Sequence, residues 1–123
     1  WVKKFTIAAD HGQVINAKAI RTTIEGSLMM ALSRTLFEEV VFDESMVQSN
    51  DWVSYPILEM EQAPEAIDIH LVEQKEMDPK GAGEASTRIV PGAVANAIFD
   101  ATGVRLRKAP FTPERVLAAL QKA

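Results

Sequence analysis

Apolar residues recur at every fourth position through the first third of the chain. They are Ile24, Leu28, Leu32, Leu36 and Val40. Because side chains four residues apart share one face of an α-helix, this spacing predicts a long amphipathic helix from Ala17 to about Val40. Asn16 stands just before it, where a side-chain oxygen caps the first free backbone amides.

Other stretches predict strands and two shorter helices. Alternating apolar and polar residues predict strands over 2–9 and 67–72, a hairpin over 40–53, and a short strand over 104–106. Pro91 and Pro113 suit the first turns of two helices, and Gly103 suits the left-handed position after the first of them. The predicted fold is a single α+β domain over residues 1–123, in which a mixed or antiparallel sheet packs with one long and two shorter helices.

Composition narrows the class of protein. The 123 residues are 47% hydrophobic and 24% charged, which is typical of one globular domain with its own core. A net charge of −4 argues against nucleic acid as a partner. The chain has no cysteine, which excludes disulfides, thiolate metal ligands and a cysteine nucleophile from it.

The chain opens on Trp1 and not on Met, and we expect it to be part of a longer subunit. The sequence carries no targeting pattern and indicates no compartment.

The two histidines do not suggest a metal site. His11 and His70 lie far apart in sequence and lack the short spacing that zinc-binding motifs show. His70 alternates with Ile69 in a predicted strand, so we expect it on the surface. His11 falls in a predicted turn, where we expect a solvated side chain or one that touches a ligand.

The stretch Gly81–Glu84 is the local feature of most chemical interest. Two glycines allow backbone conformations barred to other residues and a close approach to a ligand, and the carboxylate of Glu84 follows directly. Ser86 and Thr87 add hydroxyl groups just before a predicted helix, where an anion can bind. The alternative interpretation is a flexible turn that carries an exposed acid.

Several ordered motifs along almost the whole chain resemble one family. The residues 10–16 are similar to that family's Asp-x-Gly-x-x-x-Asn pattern. The further motifs lie at 24–26, 36–40, 51–58, 63–65, 81–84, 95–105 and 112–116. In this order and spacing they resemble the carboxy-terminal part of the molybdopterin-binding large subunit of the xanthine dehydrogenase family, in the branch of the isoquinoline 1-oxidoreductases and bacterial aldehyde dehydrogenases.

The resemblance implies an activity and a site. Enzymes of this family hydroxylate aldehydes or N-heteroaromatic carbons with oxygen from water, using molybdenum on a pterin that in bacteria is often the cytosine dinucleotide form. The glutamate of the family's Gly-x-Gly-Glu motif maps to Glu84, which would act as general base. The positions that would line the cofactor are Gly81, Ala82, Gly83, Ala85, Ser86 and Thr23, the last at a position where many members carry a pterin-holding Gln. None of these residues is expected to ligate the metal directly.

The resemblance also implies partners. They are the remainder of the large subunit, an iron–sulfur small subunit and a small aldehyde or N-heteroaromatic substrate, with no nucleic acid. On its own the chain would be inactive, and we expect it to self-associate through surfaces that the rest of the subunit normally covers. Two alternatives remain open: a stand-alone binding or assembly module for a cofactor or oxidoreductase partner, and an α+β domain whose Gly-x-Gly-Glu loop has no function.

Overall fold

The structure, a computed structural model, describes residues 1–122 and contains two strands and three α-helices. The strands are β1 (Lys4–Asp10) and β2 (Ala66–Val72), and the helices are α1 (Ala17–Leu36), α2 (Val90–Thr102) and α3 (Pro113–Leu120). Short 3₁₀ helices lie at Met60–Gln62 and Ala85–Ile89. The predicted α+β class, with one long and two shorter helices, is confirmed. None of the helices in residues 1–122 combines the length and the apolar character that a membrane crossing requires.

Helix α1 begins where the sequence predicts and ends earlier. The Asn16 side chain accepts a hydrogen bond from the Ala19 amide at 2.9 Å, and so caps the first turn. The helix stops at Leu36, and Val40 is 57% exposed. Glu38 and Glu39 follow at the negative end of the helix dipole, where acids are unfavourable. Both acids bind side chains outside the helix: the Glu38 carboxylate accepts a hydrogen bond from the Tyr55 hydroxyl, and the Glu39 carboxylate forms a salt bridge with Arg115.

The sheet has two strands that run parallel, so the expectation of a mixed or antiparallel sheet is corrected. The pairs run from Lys4 with Ala66 to Asp10 with Val72. The connection allows this direction, because a parallel pair needs a long crossover and the chain between the two strands contains α1.

The hairpin predicted over 40–53 is confirmed only as one antiparallel bridge between Phe42 and Val47, and its two strands do not form. The Asp43 side chain accepts hydrogen bonds from the Ser45 and Met46 amides, and Asp51 does the same for Val53 and Ser54. Such local turns compete with a strand ladder for the backbone donors.

The short strand predicted at 104–106 does not form either. Arg105 donates a hydrogen bond to Asn96 and lies over the ring of Phe99, both on α2. The segment therefore folds back on that helix and joins no strand of the sheet.

The core lies between α1, one face of the sheet, and α2. Its buried members are Ile7, Ile24, Leu28, Ala31, Leu32, Ile69, Val90, Val94 and Phe111. Ile24, Leu28 and Leu32 belong to the predicted stripe of α1 and are at most 2% exposed. The Phe111 amide donates to the Thr35 carbonyl at 2.7 Å, which ties the chain before α3 to the end of α1.

Residues 40–60 form an exposed apolar segment. Its large apolar side chains that are largely solvent-exposed are Val40, Val41, Phe42, Met46, Val47, Trp52, Val53, Ile57 and Met60. Val53, Met60 and Trp52 are the most exposed of them, at 91%, 86% and 82%. So many exposed large apolar side chains in one segment are typical of a contact surface.

We expect the 123-residue chain to form dimers or larger species, because the exposed apolar segment is then removed from water. Light scattering at several protein concentrations measures the mass directly. Replacing Trp52 and Val53 with Ser should shift the mass toward the monomer, whereas Ile15→Ser, also at an exposed position but outside the segment, should leave it unchanged. A strictly monomeric mass for the unmodified chain at all concentrations would contradict this prediction.

Candidate functional site

The Gly81–Glu84 stretch lies against α1. Glu84 directly precedes the 3₁₀ helix Ala85–Ile89, and that helix packs on α1. Ser27 is 2% exposed and its hydroxyl donates to the Gly83 carbonyl at 3.0 Å. Thr23 lies four residues earlier, on the same face of α1, and is half-buried. The structure therefore places Thr23 within about one helical turn of the residue that holds the loop.

Gly81 and Gly83 stand beside open space. A Cβ atom built on either residue would meet no atom of the chain within 4 Å. Neither residue has a positive φ; in residues 1–122 only Gly12 and Gly103 do. The expectation that these glycines adopt a backbone conformation barred to other residues is therefore wrong. What their missing side chains provide is room at the surface of the loop, which suits a ligand that approaches the backbone closely.

Glu84 has a fixed backbone and an exposed side chain. Its carbonyl accepts hydrogen bonds from the Thr87 amide at 3.1 Å and the Thr87 hydroxyl at 2.7 Å. The carboxylate makes no capping hydrogen bond to the 3₁₀ helix that it precedes. The carboxylate is therefore accessible and has no hydrogen bond to the helix that would restrain it.

The other predicted cofactor-lining residues differ in their access to solvent. Ala85 is exposed and Ala82 is half-buried, so both can meet a ligand on the loop. Ser86 is only 6% exposed and lies within the 3₁₀ helix. Thr23 lines a shallow groove on α1 together with Asn16, Lys18, Ala19 and Thr22.

The turn Asp10–Gly12 is joined to the chain that leads into Gly81. The Lys80 amide donates to the His11 carbonyl at 2.8 Å and the Gln74 amide to the Gly12 carbonyl at 3.2 Å. The Asp10 carboxylate accepts from the Gly12 amide at 2.9 Å and from the Gln74 side chain. These two hydrogen bonds, the backbone one first, hold the pKa of Asp10 below its usual value. Their stabilising effect is present above the unfolded-state pKa and is lost as the pH falls through the lowered one.

His11 is buried, against the expectation of a solvated turn residue. It is 5% exposed, and its Nε2 atom has no hydrogen-bond partner in residues 1–122. One pattern in the sequence could have indicated this. His11 lies four residues after Ile7, the buried residue of β1. Because alternate residues of a strand face the same side, His11 falls on the inward face if the alternation of β1 is continued. His70 is exposed, as predicted. No three His, Asp or Glu side chains gather into a candidate metal site within the described chain.

The comparisons with known proteins agree on one family. A family model described as the molybdopterin cofactor-binding domain matches residues 1–64. One of the subunits of nicotinate dehydrogenase from Pseudomonas putida is 43% identical over 119 residues, which are 97% of this chain and 10% of that protein. The beta subunit of isoquinoline 1-oxidoreductase of Brevundimonas diminuta is 30% identical over 112 residues, which are 91% of this chain and 14% of that protein.

A solved structure gives the same result for the fold. Aldehyde oxidoreductase from Desulfovibrio gigas superposes with a TM-score of 0.81 at 31% identity, over 94% of this chain and 13% of that one. The chain thus spans between a tenth and a seventh of the length of these three relatives.

Proposed function

The chain belongs to the molybdopterin cofactor-binding domain family, as its resemblance to the large subunits of the xanthine dehydrogenase family predicted, and on this premise we propose that it works as the carboxy-terminal portion of a molybdenum hydroxylase. The proposed reaction oxidises an aldehyde or an N-heteroaromatic substrate with oxygen derived from water. Both substrate classes occur in the names of the relatives, as aldehyde oxidoreductase and nicotinate dehydrogenase. The observation that carries the proposal is an exposed Glu84 on an anchored loop with open space beside its two glycines.

In this proposal Glu84 is the general base. When bound, the molybdenum–pterin cofactor supplies the oxidant and activates the oxygen that comes from water. Glu84 accepts the proton from that oxygen at its carboxylate, and a carboxylate placed within hydrogen-bond reach is the group that this step needs. Gly81 and Gly83 leave room for the cofactor and substrate, while Ala82 and Ala85 line the approach.

The groove on α1 supports a role for Thr23 in holding the cofactor. Its lining offers the hydroxyls of Thr22 and Thr23, the amide of Asn16 and the ammonium group of Lys18. These donors suit the phosphate groups of a pterin cofactor, and we assign the cytosine dinucleotide form to it on the family resemblance. The Ser86 side chain is buried, so in this proposal it stabilises the loop by packing and contacts the cofactor only through its backbone.

The remaining partners follow from the same proposal. Electrons from the substrate leave through iron–sulfur clusters, and because this chain has no cysteine to bind them, we place the clusters in a partner chain or domain. The remainder of the large subunit completes the cofactor pocket.

An isotope experiment on the intact enzyme that contains this sequence tests the proposal. We expect the purified enzyme to hold molybdenum by elemental analysis and to oxidise nicotinate or a simple aldehyde. Turnover in ¹⁸O-labelled water should place the label in the product, and turnover in ordinary water under ¹⁸O₂ should not. Absence of molybdenum, or label that comes from O₂, would reject the proposal. Molybdenum without turnover of any aldehyde or N-heteroaromatic would favour the non-catalytic binding module.

A further inference from the structure

Three backbone hydrogen bonds join two segments that are distant in sequence. Besides the bonds from Lys80 to His11 and from Gln74 to Gly12, the Gln13 amide donates to the Met77 carbonyl at 3.2 Å. We call this arrangement, residues 10–13 with residues 74–80, the turn clamp. It ends at Lys80, the residue directly before Gly81.

The turn clamp depends on the absence of a side chain at Gly12. The φ angle of Gly12 is +69°, a conformation that residues with a Cβ rarely adopt. A Cβ at this position would also lie 2.3 Å from the Asp78 carbonyl oxygen and 3.2 Å from its carbonyl carbon. Both atoms belong to the backbone, so the 74–80 segment would have to move away as a whole.

The loop that carries Glu84 has one anchor before Gly81 and one after it. Lys80 is bound to the His11 carbonyl on one side, and Gly83 is bound to the Ser27 hydroxyl on the other. Between them Gly81 has open surroundings, so it has no side-chain packing that fixes its path. After Glu84, the 3₁₀ helix Ala85–Ile89 packs on α1, and the Thr87 amide binds the Glu84 carbonyl. The position of Glu84 therefore depends on the two anchors together with this helix.

We propose that the turn Asp10–Gly12 is a positioning element for Glu84, acting through Lys80 on the Gly81–Glu84 loop. The proposal rests on the role of Glu84 given above and adds the residues that set its place. The Asp10 carboxylate supports the turn from within, since it binds the Gly12 amide and the Gln74 side chain at once. A proton-accepting group misplaced by about 1 Å loses up to about a hundredfold in rate, so such an anchor matters for turnover.

The variant Gly12→Ala in the intact enzyme tests this proposal, with Gly103→Ala as the matched control. Gly103 has a φ of +75°, so its substitution brings similar backbone strain, but a Cβ there meets nothing within 4 Å. For Gly12→Ala we expect faster hydrogen exchange at the amides of Lys80 and Thr87, which donate to the His11 and Glu84 carbonyls. We also expect kcat to fall about 10- to 100-fold with KM and molybdenum content close to the unmodified values. Gly103→Ala should leave both the hydrogen exchange at these amides and kcat unchanged.

The two readouts separate failure of this inference from failure of the proposed function. Faster exchange confined to the turn clamp, with the Thr87 amide unchanged, would overturn the positioning role whether or not the enzyme turns over. Faster exchange at the Thr87 amide with unchanged kcat would keep the anchor and reject Glu84 as the base.

If Gly12→Ala fails to fold, Asp10→Ala weakens the same turn without a steric clash. Exchange at the Thr87 amide, which donates to the Glu84 carbonyl, should then rise and kcat should fall. Asp10→Asn should restore much of both, because its amide oxygen can still accept from the Gly12 amide. Unchanged exchange and kcat in Asp10→Ala would overturn the inference.

Discussion

Replacing Glu84 with Gln in the intact enzyme should lower kcat by about a hundredfold to ten-thousandfold, which is the contribution typical of a positioned general base. Gln has nearly the same shape as Glu and still forms hydrogen bonds, but it cannot accept a proton. Because Glu84 is exposed and makes no capping bond, the change should alter the free energy of unfolding by less than about 0.5 kcal/mol. Steady-state kinetics, elemental analysis for molybdenum and urea unfolding together measure the three expectations.

Two further variants show whether the loss belongs to this carboxylate. Glu73→Gln removes another exposed negative charge, just after β2 and outside the turn clamp, and should leave kcat unchanged. Glu84→Asp keeps a carboxylate on a side chain shorter by one methylene, and should fall between the wild-type enzyme and Glu84→Gln. Equal turnover in Glu84→Gln and the wild type would remove Glu84 from the reaction. A parallel loss of molybdenum would assign it to cofactor binding instead.

Local sequence patterns predicted the helices well because their ends are set by neighbouring residues. Asn16 and Thr112 cap the starts of α1 and α3, and Gly103 takes the left-handed position after α2. The direction of the sheet was predicted wrongly, because it depends on where the long connection from Asp10 to Ala66 returns the chain. The hairpin over 40–53 is limited to one antiparallel bridge, because the side chains of Asp43 and Asp51 accept hydrogen bonds from nearby backbone amides.

The candidate site shows the same division between local and distant information. Glu84 and its glycines follow from a short motif, whereas the contacts that hold them do not. Ser27 reaches Gly83 across 56 residues, and the turn at Asp10 reaches Gln74 across 64. No periodicity or spacing in one sequence reveals such pairs, since they arise only when α1 and the parallel strands pack together. The chemistry of a motif can thus be predicted before the residues that position it.

The packing of α1 that makes those distant contacts possible leads to the largest expected effect on stability. Leu32 is fully buried, at 0% exposure, in the centre of the core stripe of α1. Leu32→Ala removes three buried carbon atoms and leaves a cavity that the surrounding helix and sheet fill only partly. We expect a loss of about 2–5 kcal/mol in the free energy of unfolding, measured by urea titration.

The matched variant is Leu117→Ala on α3, where the same atoms are removed from a side chain that is 56% exposed. Its effect should stay well below that of Leu32→Ala, because less apolar area returns to water and no enclosed cavity forms. Since Ser27 lies on the same helix as Leu32 and binds the Gly83 carbonyl, the core variant should also speed hydrogen exchange at the Ser27 amide, which the Leu117 variant should not. Equal losses of stability in the two variants would show that α1 does not pack as the structure describes.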